Sequence, residues 1–273
     1  MSMRLLRVLI RETILQEIDI NDVENVCFTT GSTHVMKTCK IGNNKYFLKF
    51  SEEELFEDVD PSLQILVEYL AYRIYGLFAG IRIPLPQLVY DTAGRKVGLA
   101  TSVVKGKMAL RMSDMNNQLL AKMMSQGVYV DIFLCNWDVI GTGSGNVFID
   151  DDVATRIDPG GSLTFRAQGG RKGKAFGPNA KELKSMLDPN SGAGKVFMHA
   201  DLAIAAKEFL KVGWPTIESE IDTVRNEIND ELKGHAMNDL FAEWNEDVNL
   251  IKGILKERHS EVKAHAINTL QGI

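Results

Sequence analysis

The chain has 273 residues, 45% hydrophobic and 25% charged, a globular composition that excludes a disordered tail and needs no disulfide or structural metal to hold a core. Lysine and arginine number 31 against 36 acidic residues, a formal net charge of −5, which argues against a general nucleic-acid coat because such proteins neutralise phosphates with a basic excess. No apolar stretch reaches the length of a membrane span. The three cysteines, Cys27, Cys39 and Cys135, are odd in number and lack metal-ligand spacing, so they read as free thiols in a reducing, cytoplasmic setting. The N-terminus is interrupted by Arg11 and Glu12 and has no small-residue cleavage site, so it is not read as a signal peptide. Delivery into a host cell without a cleaved signal stays open.

Residues 25–50 alternate and turn like strands. Val26–Phe28 leads into the Gly/Ser/Thr loop 29–34, then Val35–Cys39, and Gly42-Asn43-Asn44 is a hairpin signal before the apolar run Tyr46–Phe50. From Pro61 the period changes to that of a helix, with Ile65, Leu66, Tyr69, Leu70, Arg73, Ile74, Leu77 and Phe78 on one face. Proline is tolerated at the first helical position, and Gly80 is expected to end the helix. Gln87–Tyr90 and Val97–Val104 read as strands around the turn 91–94, and Lys105-Gly106-Lys107 as a hinge. Residues 114–135 are helical in pattern with a break at Gly127, 137–165 are short strands and loops, and 166–195 read as a long loop. Beyond 201 the chain is helical. Ile217, Ile221, Val224, Ile228 and Leu232 share one helix face, and Leu240, Trp244, Val248, Ile251 and Leu255 another. This order predicts an α+β fold with two lobes, a small antiparallel-sheet lobe over 1–105 and a larger helical lobe over 106–273, with a ligand cleft between them.

Four features carry chemistry. Thr30, Gly31, Ser32 and Thr33 form a loop whose amides and hydroxyls could cradle phosphate oxygens, or be only a turn. Lys49, inside an apolar strand, must send its ammonium to polar partners; it either holds a phosphate and pairs with a carboxylate or lies on the solvent face of an edge strand. Glu68 lies near the apolar stripe of the following helix, where it could meet Lys49 or be solvated. Asp138 closes a helix and opens a glycine loop, Asn146 precedes a short apolar strand, and Asp158 follows a second one. A hairpin of those strands brings Asn146 and Asp158 to neighbouring positions. Hard oxygen donors of this kind suit Mg²⁺ shared with substrate phosphates, and a nearby aspartate can accept the proton of an attacking hydroxyl. The histidines do not cluster with cysteines, which argues against zinc, and no nucleophile elbow of a serine hydrolase is present.

In this order the motifs resemble the atypical branch of the protein-kinase-like superfamily, with HipA-type toxin kinases and phosphatidylinositol 3/4-kinases as likenesses. Asn136-Trp137-Asp138 is similar to the Asn-x-Asp opening of the HipA catalytic loop, and Asp158-Pro159-Gly160 keeps the outline of Asp-Phe-Gly with proline in the middle. The resemblance spans roughly residues 25–165. It implies ATP and Mg²⁺ as cofactors, with Asp138 the catalytic aspartate and Asn146 and Asp158 the metal ligands. It further implies that Lys49 holds the phosphates as Glu68's ion-pair partner, that residues 29–34 cover them, and that Val103 and Val104 belong to the adenine-contacting hinge. One departure matters: eight positions separate Asp138 from Asn146, where the usual catalytic loop has about five, so residues 141–145 must bulge. Ile157–Gln168 also resembles segments of kinase-like proteins of phages and intracellular bacterial pathogens.

The reaction implied is transfer of a phosphate to a hydroxyl acceptor on a protein, lipid head group or inositol phosphate. AMP transfer on the same fold and a catalytically inactive binding module, with the tail 216–273 as partner surface, are the alternatives. Arg166, Arg171, Lys172 and Lys174 follow Asp158 closely, and this loop either attracts an anionic ligand or is simply solvated.

Overall fold

Short runs rich in β-branched, aromatic and other apolar residues on either side of Gly42-Asn43 make the first described elements strands. The computed structural model describes residues 35–41, 44–50, 60–90, 97–109, 112, 115–141 and 144–272, with the backbone alone for 35–41 and 44. The strands expected at Val26–Phe28, the loop 29–34 and the turn 91–94 lie outside the described residues. Strand β1 (Val35–Ile41) pairs antiparallel with β2 (Asn44–Phe50), whose other edge takes β4 (Val97–Ser102), and β3 (Pro86–Tyr90) completes the order β1-β2-β4-β3. β2 is therefore an inner strand, and the edge-strand reading of Lys49 is excluded. Period-two alternation sends Leu48 into a small apolar cluster with Tyr46, Val89 and Ala100, and Lys49 to the opposite face.

Helix α1 (Pro61–Tyr75) packs on that face. Asp60 caps it, its carboxylate accepting from the Ser62 amide at 2.7 Å. The helix is buried nearly all round, so even Glu68 is enclosed. It ends at Tyr75, not at Gly80 as the glycine suggested. The amides of Leu77 and Phe78 turn back to Ile74 and Tyr75 at 3.1 Å each, a tightened last turn. Gly80 serves close approach instead: its amide donates to Glu208 Oε1 at 2.7 Å, and a Cβ there would lie 2.6 Å from the Glu208 carboxyl carbon.

A second sheet, in the order β5-β6-β7, is built from β5 (Lys107–Met108), β6 (Val147–Asp150) and β7 (Val153–Arg156). Lys107, expected in a hinge, is thus in a ladder, opposite Ile149. Gly106 permits this because a Cβ there would meet the Ile149 carbonyl oxygen at 2.1 Å. Helices α2 (Asn117–Met124) and α3 (Val128–Phe133) flank a single 3-10 turn at Ser125–Gly127, the expected break. Where a loop was expected over 166–195, one short helix, α4 (Glu182–Ser185), forms and a second, α5 (Gly194–Phe197), begins.

The C-terminal part is helical as the periodicity predicted: α6 (Leu202–Phe209), α7 (Trp214–Gly234) and α8 (Asn238–Gln271). Every residue named for the two apolar faces is buried. These faces join α1, α2 and α3 in one continuous core. On the surface of α1, Arg73 is held at 2.5 Å from Glu220 and 2.8 Å from Glu227 of α7. Much of the tail is therefore an internal brace. No helix among the described residues is long and apolar enough to cross a membrane.

Candidate active site

The Lys49 ammonium is almost fully enclosed and sits between two carboxylates, 2.8 Å from Glu68 Oε2 and 3.0 Å from Asp158 Oδ1. Three elements distant in sequence supply this triad: β2, α1 and the loop after β7. Burial by itself would lower the Lys49 pKa, but Asp158 and Glu68 outweigh it and hold the ammonium charged. Burial pushes the Glu68 carboxyl up to about 7, against the pull of Lys49, with the Asp158 charge adding to the rise. Asp158 itself is half exposed. Its backbone is left-handed at φ 53°, a conformation aspartate tolerates better than most residues, and its amide donates to the Tyr72 hydroxyl at 3.1 Å. Gly160 is wedged against the triad. A Cβ there would lie 2.8 Å from Glu68 Oε2 and 3.2 Å from Lys49 Nζ.

Asp138 and Asn146 form the second half. The Asn146 amide donates to the Asp138 backbone carbonyl at 2.8 Å and to its carboxylate at 3.3 Å, so the longer loop returns Asn146 to Asp138. Gly141, at φ 69°, allows the closure: a Cβ there would meet the Asn146 side chain at 2.6 Å. The Ile157 amide donates to the Asn146 carbonyl at 3.0 Å, which sets Asn146 beside the strand that leads to Asp158. Gly161 brings the halves together, because a Cβ on it would lie 3.1 Å from the Asp138 Cβ. The Asp138 pKa is raised, first by burial and then by the Asp158 charge, while the Asn146 amide works the other way.

Of the remaining sequence-derived positions, Thr30, Gly31, Ser32 and Thr33 lie outside the described residues. Val103 is exposed and Val104 half-buried beyond β4, and the Val103 amide donates to the Lys45 carbonyl at 3.1 Å. The cations after Asp158 do not act as one patch. Arg171 pairs with Asp247, and Lys172 is buried, while Arg166 and Lys174 stay exposed.

Sequence reasoning missed a buried network beneath the site. The Arg156 guanidinium meets the Asp131 carboxylate at 2.8 Å, the Tyr75 hydroxyl donates to Asp131 at 2.9 Å, and the Asn136 amide donates to Tyr75 at 3.0 Å. It ties α1, α3, β7 and the Asp138 loop together. The available signal was an arginine inside a strand two residues before Asp158 and an aspartate inside the apolar helix Val128–Phe133.

A small antiparallel sheet covered by one helix that a long helical tail braces, with Lys49, Glu68 and Asp158 meeting beneath that helix, is an arrangement with a counterpart among solved structures. The crystal structure of a Helicobacter pylori proinflammatory kinase, CtkA, superposes with a TM-score of 0.54 at 12% identity, covering 90% of this chain and 95% of that one. The chain has a kinase-like bilobal fold. At that identity the likeness is one of fold alone. No protein-family model matches the sequence, and no curated protein matches it.

Among the described residues no group of three or more His, Cys, Asp or Glu side chains gathers as a cage. Asp158, with its half-exposed carboxylate, and Asn146, whose amide nitrogen is committed to Asp138, offer hard oxygens. That set fits a Mg²⁺ shared with substrate phosphates, which takes only one or two protein carboxylates.

Proposed function

We propose that the protein is an ATP- and Mg²⁺-dependent phosphotransferase acting on a hydroxyl acceptor, in the manner of the HipA-type and phosphatidylinositol-kinase branch its motifs resemble. The observation that carries the reading is the enclosed Lys49 ammonium between Glu68 and Asp158, next to the joined Asp138 and Asn146. The kinase-like fold supports it. ATP would lie between the small lobe (1–105) and the helical lobe (106–273), with Val103 and Val104 near the adenine and residues 29–34 over the phosphates.

In this reading Lys49, oriented by Glu68, binds the phosphates as a point charge. Asn146 and Asp158 would hold Mg²⁺, which when bound neutralises charge on the phosphate oxygens. Asp138 accepts the proton of the attacking hydroxyl as the new oxygen–phosphorus bond forms. The bond to the ADP oxygen breaks, and ADP leaves with its electron pair. Burial and the neighbouring Asp158 raise the proton affinity of Asp138, which suits a proton acceptor. Catalysis is chiefly positioning and charge neutralisation.

The test is a thermal-shift titration with ATP, with and without Mg²⁺, on the wild type and Asp158→Ala, followed by mass spectrometry of a protein, lipid and inositol phosphate panel. Metal-dependent stabilisation lost in the variant, and a phosphate-sized mass gain on an acceptor, are expected. An AMP-sized gain would replace the reaction. No stabilisation at saturating nucleotide would sink it.

A further inference from the structure

Lys172 belongs to the loop read from sequence as attracting anions, yet it is buried. Its ammonium donates to the backbone carbonyl of Cys135 at 2.5 Å and to that of Gly161 at 2.7 Å. It also lies 5.3 Å from the centre of the Trp137 ring. Cys135 stands three residues before Asp138, and Gly161 three residues after Asp158. Both carbonyls belong to loop or turn backbone outside the sheets and α-helices, and Cys135 has a left-handed φ of 56°. The chain after Asp158 brings Lys172 back to this point through a closed loop. Arg166 N donates to the Gly170 carbonyl at 2.8 Å, and Lys172 N donates to the Thr164 carbonyl at 2.8 Å.

We propose that Lys172 is a positioning residue that staples the Asp138 loop to the Asp158 loop, so that the two carboxylates keep one relative placement. The proposal rests on the phosphotransferase reading of that site. The chemistry is specific. An ammonium has three donors around one small centre and can serve two carbonyls and an aromatic face at once. An arginine fork is planar and larger, and it does not fit two converging carbonyls in the same way. Burial pulls the Lys172 pKa down to about 8, so the charge is held there against a desolvation cost. A methionine would fill the same volume without that cost, but it could not donate to either carbonyl. Trp137, whose indole N–H donates to Glu182 at 2.9 Å, is held over the ammonium as part of the same unit.

The experiment compares the wild type, Lys172→Met, Lys172→Arg and the exposed-site control Lys174→Ala. The readouts are turnover with its kcat and KM for ATP, the ATP–Mg²⁺ thermal shift, and amide hydrogen exchange over 133–141 and 158–164. Lys172→Met is expected to keep the nucleotide-dependent shift and KM while kcat falls on the order of tenfold to a hundredfold. Exchange should rise in both segments together, with partial rescue in Lys172→Arg and no change in Lys174→Ala. Should Lys172→Met not fold, Lys172→Gln, which retains a donor, is measured in its place, with the same coupled rise in exchange and a smaller fall in kcat expected. Unchanged kcat, or exchange rising in one segment only, in a variant whose wild type binds and turns over ATP overturns the proposal alone. A wild type with no metal-dependent shift and no turnover removes the reading beneath it and the positioning role with it.

Discussion

Lys49 and Glu68 stand nineteen residues apart in the chain and 2.8 Å apart in space, one on an inner strand and the other on the buried face of the helix that crosses it. This pair has a titration of its own. The Glu68 carboxyl, ordinarily near 4.5, is pushed up to about 7, so between those values the folded protein holds a proton that the unfolded chain has lost. By linkage the stability from this group is complete below pH 4.5 and is lost as pH rises through about 7. Glu68→Gln is expected to remove that slope. Thermal melts from pH 4.5 to 8 should show the wild type losing ground to the variant as pH rises, and parallel curves would contradict the assignment.

Gly160 leaves no room for a side chain. A methyl group there would press on Glu68 Oε2 at 2.8 Å and approach Lys49 Nζ at 3.2 Å. Gly160→Ala is expected to displace the Glu68 carboxylate from Lys49 while the fold persists. ATP–Mg²⁺ affinity should fall on the order of tenfold, as expected for a misplaced phosphate-binding group. Isothermal titration of both proteins reads this directly, and equal affinities would refute it.

Asp138 differs from Asp158 in what it should cost. Asp138 has no contact with Lys49 among the ion pairs of the described residues, whereas Asp158 does. Asp138→Asn is therefore expected to keep the nucleotide-dependent thermal shift and to reduce turnover by on the order of a hundredfold or more, the scale of a lost general base. A fully active Asp138→Asn protein would remove Asp138 from the reaction.

The Asp131–Arg156 pair is the buried charge on which the site rests. Both side chains are nearly inaccessible, and the guanidinium lies against Gly127, where a Cβ would come within 2.3 Å of its carbon. Asp131→Ala leaves the guanidinium buried with Met124's carbonyl as its remaining hydrogen-bond partner among the described residues. A loss of about 3–5 kcal/mol is expected, which corresponds to roughly 6–20 °C in Tm for a chain of this size. Asp131→Leu combined with Arg156→Met should recover much of that loss, and an additive double variant would contradict the coupling.

The sequence by itself determined the elements with a clear apolar period and named candidate residues for chemistry. The apolar run Tyr46–Phe50 after a hairpin signal marked a strand, and the spacing of Ile217 to Leu232 and of Leu240 to Leu255 marked two helix faces, both of them buried. Such patterns are local, and burying one apolar face is enough to enforce them. Lys49, Glu68, Asp138, Asn146 and Asp158 stood out as candidates because each stands where its residue type is costly or turn-forming. What only the tertiary structure decided is which charge meets which. Arg171 turns to Asp247 and Lys172 to two backbone carbonyls, so the cations after Asp158, which could have formed one anion-attracting or solvated loop, are divided between surface and interior, and Arg156 meets Asp131 in the core. Helix α1 ends at Tyr75 rather than Gly80, since Gly80 answers to Glu208 across the fold. Lys49 and Asp158 meet across 109 positions. A buried charge is placed by distant partners that cancel its desolvation, and no local pattern encodes which partners the packed core will bring within reach.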